Sequence, residues 1–242
     1  MAFDFKKEYK DIYLPKSNPA FIDVPEMTYI AIAGQGDPNE ENGAYKQAIA
    51  ALYALSFTIK MSKMGSWQPA GYFDYVVPPL EGLWWTNQGM FDGLSNEDKS
   101  AFHWIAMIRQ PDFVTDEVFT WAKEQAVAKK SEIENVIEKA RLIRFSEGPC
   151  VQIMHLGPYD DEASSIEKLN DYIEDNGNTS DLSSIGNLID EEVLETFISS
   201  NTLNPIRLHH EIYLSDPRKC KPENLKTVIR QPVTINQNTT DC

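Results

Sequence analysis

The 242-residue chain carries 37 acidic against 22 basic residues, a net charge of −15, and no basic stripe that would displace counterions from phosphates, which argues against direct nucleic-acid binding. A hydrophobic content of 42% can form a core without a staple. The three cysteines, Cys150, Cys220 and Cys242, have no C-x-x-C spacing, which argues against a disulfide framework or a thiolate zinc site. No apolar leader opens the chain and no apolar run is long enough to cross a bilayer, so the expected location is cytoplasmic, with no membrane partner.

In chain order, residues 1–26 read as a polar, proline-punctuated lead-in, and 27–33 (MTYIAIA) as a strand closed by Gly34 and Gly36. Asp37, Pro38 and Glu40 form a helix-start signature. Tyr45, Ala48, Ile49, Leu52, Leu55 and Ile59 then recur at helical spacing up to about Gly65. Strands are predicted at 72–77 and 80–86 around Pro78 and Pro79, a capping box at 95–98, and a strand at 102–109. Thr115 should cap a long helix reaching about Ala140.

The second half repeats the plan. A strand at 150–156 turns at Gly157, Asp160 or Asp161 caps a helix with Ala163, Ile166, Leu169 and Ile173 on one face, and Gly177 ends it. A Ser/Asn/Asp-rich stretch, a short helix at 190–199, a last strand at 206–214 and a polar tail follow. The repeated order of strand, glycine turn, acidic cap and amphipathic helix points to two related units sharing one core. The expected class is α+β: two pseudo-two-fold β-α-β-β modules in one domain, at about 21–111 and 149–235. A helical connector at about 112–148 joins them.

Gly34 and Gly36 lack the third glycine and the Lys-Ser/Thr partner of a phosphate loop. His209 and His210 are adjacent and face opposite ways on a strand, while His103 and His155 stand alone, so neither a metal nor a cofactor is predicted. In the last strand, period two puts Arg207, His209, Glu211 and Tyr213 on one face and Leu208, His210, Ile212 and Leu214 on the other. The first face reads either as a solvated strand face or as a pocket floor with a carboxylate beside a phenol. In 80–86, Glu81, Leu83 and Trp85 alternate with Trp84 and Thr86. One tryptophan is expected in the core, the other in an aromatic wall with Trp67, Tyr72, Tyr75 or Trp104. An acid among aromatic rings suits a flat, weakly polar or cationic guest.

The segments LHHEIYLSDPRK (208–219), IMHLGPYDDEASSIEKL (153–169) and VVPPLEGLWW (76–85) together resemble stand-alone members of the GyrI-like, effector-binding-domain family, a similarity running over about 21–232. The resemblance implies a ligand groove between the two modules. It also implies that Glu211 and Tyr213 match the buried acid and its tyrosine neighbour with which related regulator domains bind lipophilic cations. The run at 81–85 resembles a branch reported to hydrolyse cyclopropane-bearing, DNA-alkylating natural products. There is no helix-turn-helix, and the stretch 178–205 is longer than the family pattern.

The leading function is therefore binding of a lipophilic, aromatic, cationic or neutral small molecule. The residues expected to line the groove are Glu211, Tyr213, Glu81, Trp84, Trp85, His155, Tyr159, Tyr75 and Trp104. The alternatives are a hydrolase in which Glu81, Glu211 and Tyr213 act on the substrate, and a protein-interaction module of the gyrase-inhibitor type. Nothing in the sequence fixes the oligomeric state.

Overall fold

The computed structural model describes residues 2–65, 67–86, 93, 98–182, 200, 203 and 207–236. Six strands carry the fold: β1 (Ala20–Gln35), β2 (Leu80–Thr86), β3 (Phe102–Arg109), β4 (Arg141–Leu156), β5 (His209–Tyr213) and β6 (Lys226–Thr234). All their pairings are antiparallel, in the order β4-β1-β3-β2-β5-β6, and β6 pairs back onto β4 to close a barrel. Closure removes the open edges a six-stranded sheet would otherwise present.

Among the described residues, the α-helices after β1 are α1 (Ala44–Lys60), α2 (Asp116–Lys129), the one-turn α3 (Glu134–Ile137) and α4 (Ala163–Asp175). The halves β1-α1-β2-β3 and β4-α4-β5-β6 share one connectivity: in each, the last strand lies between the first two. They join through β1 with β4 and β2 with β5, the pairing a pseudo-two-fold axis requires.

Alternation sorts each strand between two interiors. Tyr29, Leu83, Trp85, Ile105, Met107, Ile143, Phe145, Ile212 and Val228 fill the barrel. On the outside of the first half, Ile30, Ile32, Trp84, Trp104 and Ile108 pack against Ala48, Leu52, Leu55 and Ile59 of α1 and Val118 and Ala122 of α2. On the second half, Val151, Ile153, Ile229 and Val233 meet Ile166, Leu169 and Ile173 of α4. Covered on both faces, β2 is buried throughout, Glu81 and Thr86 included. Gly34 belongs to this packing: a Cβ there would sit 2.4 Å from Trp104 Cη2, so its role is to admit the indole ring.

Several boundaries differ from the sequence reading. The lead-in is ordered: the helices Phe5–Glu8 and Lys10–Tyr13 place Phe5, Ile12 and Tyr13 in the barrel core, and β1 already starts at Ala20. Arg109 stacks on Phe5 and Tyr9 at 4.9 and 4.2 Å, fixing this plug. Asp37 does not cap α1. Its carboxylate accepts the Asn39 N–H at 2.8 Å in a local turn, and Gly43 occupies the cap position. The strand at 72–77 shrinks to Tyr75–Val76, which pairs in parallel with Phe3–Asp4, and the two prolines that follow, without an N–H to donate, do not extend it.

Thr115 caps α2 as expected, through a 3.4 Å bond from Val118 N, but α2 stops at Lys129. The helical connector ends before Arg141, where β4 starts. Glu162, rather than Asp160 or Asp161, precedes α4, and Gly177 follows its end at a φ of +67°. The predicted helix at 190–199, most of the 95–98 box and residue 206 lie outside the described residues; the last strand begins at His209. No helix among the described residues is long and apolar enough to cross a membrane.

The barrel interior also holds charge. The Glu147 carboxylate accepts from His210 Nδ1 at 3.0 Å and from Arg230 Nη1 at 2.9 Å, while His210 Nε2 lies 3.2 Å from Glu81. Arg230 also donates to Gln152 Oε1 and to the Ile12 carbonyl. Burial alone would raise the Glu147 pKa, but the His210 and Arg230 charges outweigh it and hold it at about 2. Burial disfavours charge on His210 as well, yet Glu147 and Glu81 push it up to about 9.

Replacing Glu147 with Gln would leave two buried cations short of their anion, at an expected cost of about 3–5 kcal/mol in urea unfolding at neutral pH. Because the folded-state pKa lies below the ordinary 4.5, the wild-type contribution is present above that value and lost as pH falls towards 2. E147Q should lack this part of the acid limb. Acid limbs of equal steepness in the two proteins would contradict the assignment.

Candidate functional site

The outer face of β5 carries His209, Glu211 and Tyr213, and the neighbouring outer positions of β2 are Gly82 and Trp84, in a register that pairs Gly82 with Glu211 and Trp84 with His209. The face lies between α1 and α4. Trp84 Nε1 donates to the Tyr213 hydroxyl at 2.9 Å, leaving the phenol its own proton to donate. Gly82 makes this crossing possible, since a Cβ would stand 2.7 Å from Trp84 Nε1 and 3.2 Å from the Tyr213 oxygen. Tyr45 of α1 packs on Trp84 at 5.1 Å between ring centres, Phe102 meets Trp84 edge-on at 6.0 Å, and Tyr159 stands edge-on to Tyr213 at 5.5 Å.

Beside this wall, Glu162, His209 and Glu211 converge, with one donor atom of each within 4.8 Å of the others. A His209 ring nitrogen lies 3.3 Å from Glu211 Oε1. Glu162 and His209 are buried, whereas the Glu211 side chain keeps 14% of its surface exposed and is the carboxylate that reaches outward. Burial, then the nearby Glu211 charge, raise the Glu162 carboxyl well above its ordinary range. Tyr213 is raised for the same two reasons, and Tyr159 is pushed up to about 12 by burial and then by Glu162 and Glu211.

Of the residues expected from the sequence, Glu211, Tyr213, Trp84 and Tyr159 are brought together here, with Trp104 behind them, edge-on to Tyr45 at 5.0 Å. The others stand elsewhere. Glu81 points into the barrel, where it accepts from Tyr13 at 3.3 Å and faces His210, so the sheet separates it from Glu211. Trp85 is also inside, stacked on His103 at 5.5 Å. Tyr75 belongs to the aromatic plug with Phe5, Tyr72 and Phe113. His155 bridges Ser165 Oγ at 3.0 Å and the Pro158 carbonyl at 3.1 Å, which holds the turn leading to Glu162. Arg207 ties the Pro149 carbonyl to Asp181 rather than joining the site.

Glu162 and His209 are absent from the expected set. The acids of the 160–162 run read as helix caps in the sequence, and only the GPYDDE segment of the resembling motif marked the place. A surface recess of about 420 Å³ lies between α2 and the start of β4, lined by Phe119, Lys123, Glu138 and Arg141. It holds none of the expected residues, and its Lys123 and Glu138 pair with each other near the surface, so the buried acids of the β5 face are the better candidate.

The model of the GyrI-like small molecule binding domain matches residues 17–185. The chain belongs to that family. The match ends before β5, but similarity to solved structures of Listeria innocua proteins runs further. One described as a hydrolase is 42% identical, with 96% of this chain and all of that one covered and a TM-score of 0.78. An uncharacterized conserved protein is 44% identical at the same coverage, with a TM-score of 0.80. A hydrolase encoded by lin2189 is 41% identical, covering 97% of this chain and all of its own, with a TM-score of 0.79. No functionally curated protein matches the sequence.

Gly82→Ala should test the outer face directly. Its Cβ must displace the Trp84 indole or the Tyr213 phenol, with an expected stability loss of about 1–3 kcal/mol and changed tryptophan fluorescence. An unchanged spectrum and unfolding midpoint would show that the close approach is not maintained.

Proposed function

We propose that the chain binds a flat, lipophilic aromatic molecule against the Trp84–Tyr213–Tyr159 wall and adds water to it, with Glu211 as the anionic contact. The supporting observation is a partly exposed carboxylate beside the buried Trp84, the half-buried Tyr213 and the exposed Tyr159, backed by a second acid. Aromatic faces hold a planar guest and stabilise positive charge on it, and Glu211 strengthens that preference. Three full-length neighbours at 41–44% identity, two of them described as hydrolases, favour turnover over storage.

The substrate class we infer is a cyclopropane conjugated to a carbonyl, as in the DNA-alkylating natural products. In the proposed step, Glu211 takes a proton from water as the water oxygen bonds to the less hindered ring carbon. The ring C–C bond breaks and its electron pair moves into the conjugated system. The carbonyl oxygen becomes a hydroxyl by accepting the Tyr213 proton, and the proton on Glu211 returns to the phenol through solvent, so the net change is addition of one water. Glu81, inside the barrel, has no part in this step.

Incubation with a cyclopropane-bearing alkylator should give a product one water heavier over many turnovers. The rate should fall by about 100-fold or more in Glu211→Gln and in Tyr213→Phe, while Glu81→Gln mainly lowers stability. Retention of one intact molecule per chain would leave a sequestering protein. Absence of both binding and turnover would overturn the assignment of this face.

A further inference from the structure

We propose that Glu162, His209 and Glu211 form a site for one divalent transition-metal ion, with zinc the best match, in the floor of the β5 face. The sequence reading predicted no metal because the donors come from two separated segments: His209 and Glu211 sit two apart on one strand face, and Glu162 arrives from the turn before α4. The fold brings one donor atom from each within 4.8 Å of the other two. Tetrahedral zinc with bonds of about 2.0–2.2 Å to nitrogen and oxygen places its donors roughly 3.4 Å apart, so small rotamer adjustments close the set.

Two observations separate this cluster from an ordinary group of surface acids. Glu162 is 6% exposed, and its Oε1 atom is buried without a hydrogen-bond partner among the described residues. An orphaned carboxylate oxygen in that setting costs free energy that a cation would offset. His209 is fully buried against the same two acids, and imidazole with two carboxylates selects a transition ion over magnesium or calcium, which prefer all-oxygen shells. Two carboxylates, a neutral imidazole and a divalent ion sum to zero, the charge this desolvated place favours.

Three protein donors leave a fourth position for water, the arrangement of hydrolytic zinc sites, and with Glu211 held by the ion the metal-bound water would replace the Glu211-activated water of the step above. That catalytic role rests on the function proposed above; the binding itself does not.

The test uses the full chain, stripped with chelator and titrated with zinc chloride by calorimetry, with native mass spectrometry for stoichiometry. The expected result is one zinc per chain at micromolar affinity or tighter, a thermal midpoint that rises with zinc, and visible absorption of tetrahedral type with cobalt. Affinity should drop at least tenfold in Glu162→Gln and in Glu211→Gln, the second at a position that keeps 14% of its side-chain surface exposed, with unchanged circular dichroism showing that each variant is folded. Absence of stoichiometric binding, or binding that both variants leave unchanged, overturns the site. Turnover that persists in excess chelator would remove the metal from the reaction and leave the hydrolase reading standing. Zinc binding without turnover would uphold the site and count against that reading.

Discussion

A closed barrel of six strands has an interior too narrow for bulk water, and this one places Glu147, Arg230, His210 and Glu81 inside it. The pairs hold because each cation meets a carboxylate at hydrogen-bonding distance and Arg230 spends its other donors on Gln152 and Ile12. The network joins four strands: β2 through Glu81, β4 through Glu147 and Gln152, β5 through His210, and β6 through Arg230. Strand β5 is short and enters from a long connection, so local propensity does little to fix its register. A shift of one residue would pull His210 out of the network and drive His209 or Glu211 into it, leaving buried charges unpaired. The interior salt bridges thereby set which face of β5 turns outward.

That dependence explains what the sequence could and could not convey. Period two identified that Glu81, Leu83 and Trp85 share one face of β2 and that His209, Glu211 and Tyr213 share one face of β5, while Arg207 falls before the strand. Alternation cannot say which face is inside when both are buried. Glu81 was therefore grouped with Glu211 by chemistry although they lie on opposite sides of the sheet. The same blindness applies to Trp84 and Trp85: one was expected in the core, and only closure of the barrel shows that Trp84 meets Tyr213 while Trp85 meets His103. Glu162 was illegible for another reason. An acid at the head of a helix has a sufficient local explanation, and its approach to β5 depends on how α4 docks.

The two halves repeat one connectivity but not one chemistry. At the outer face, the first half contributes aromatic rings from β2, β3 and α1, whereas the second contributes the acids, the histidine and the tyrosines of β5 and the turn before α4. A guest lying across the β2–β5 seam would therefore meet an apolar wall on one side and ionisable groups on the other. Such polarity across a seam orients an asymmetric molecule, because reversing it would desolvate the acids against an apolar edge.

Position and chemistry are thus divided between the faces of one strand. Replacing the interior ion pairs with packed hydrophobic side chains would by itself cost little, since buried pairs often contribute less than apolar groups of equal volume. Here such a replacement would also remove the feature that distinguishes the inward from the outward edge of β5. Ile212 and Leu208 would fit an apolar barrel in either of two registers, but only one register delivers Tyr213 to Trp84 and Glu211 to Glu162. The buried charges are better understood as specifying the register than as adding stability. A chain that must hold an acid cluster within a few ångströms gains more from a single enforced register than from a deeper but less selective core.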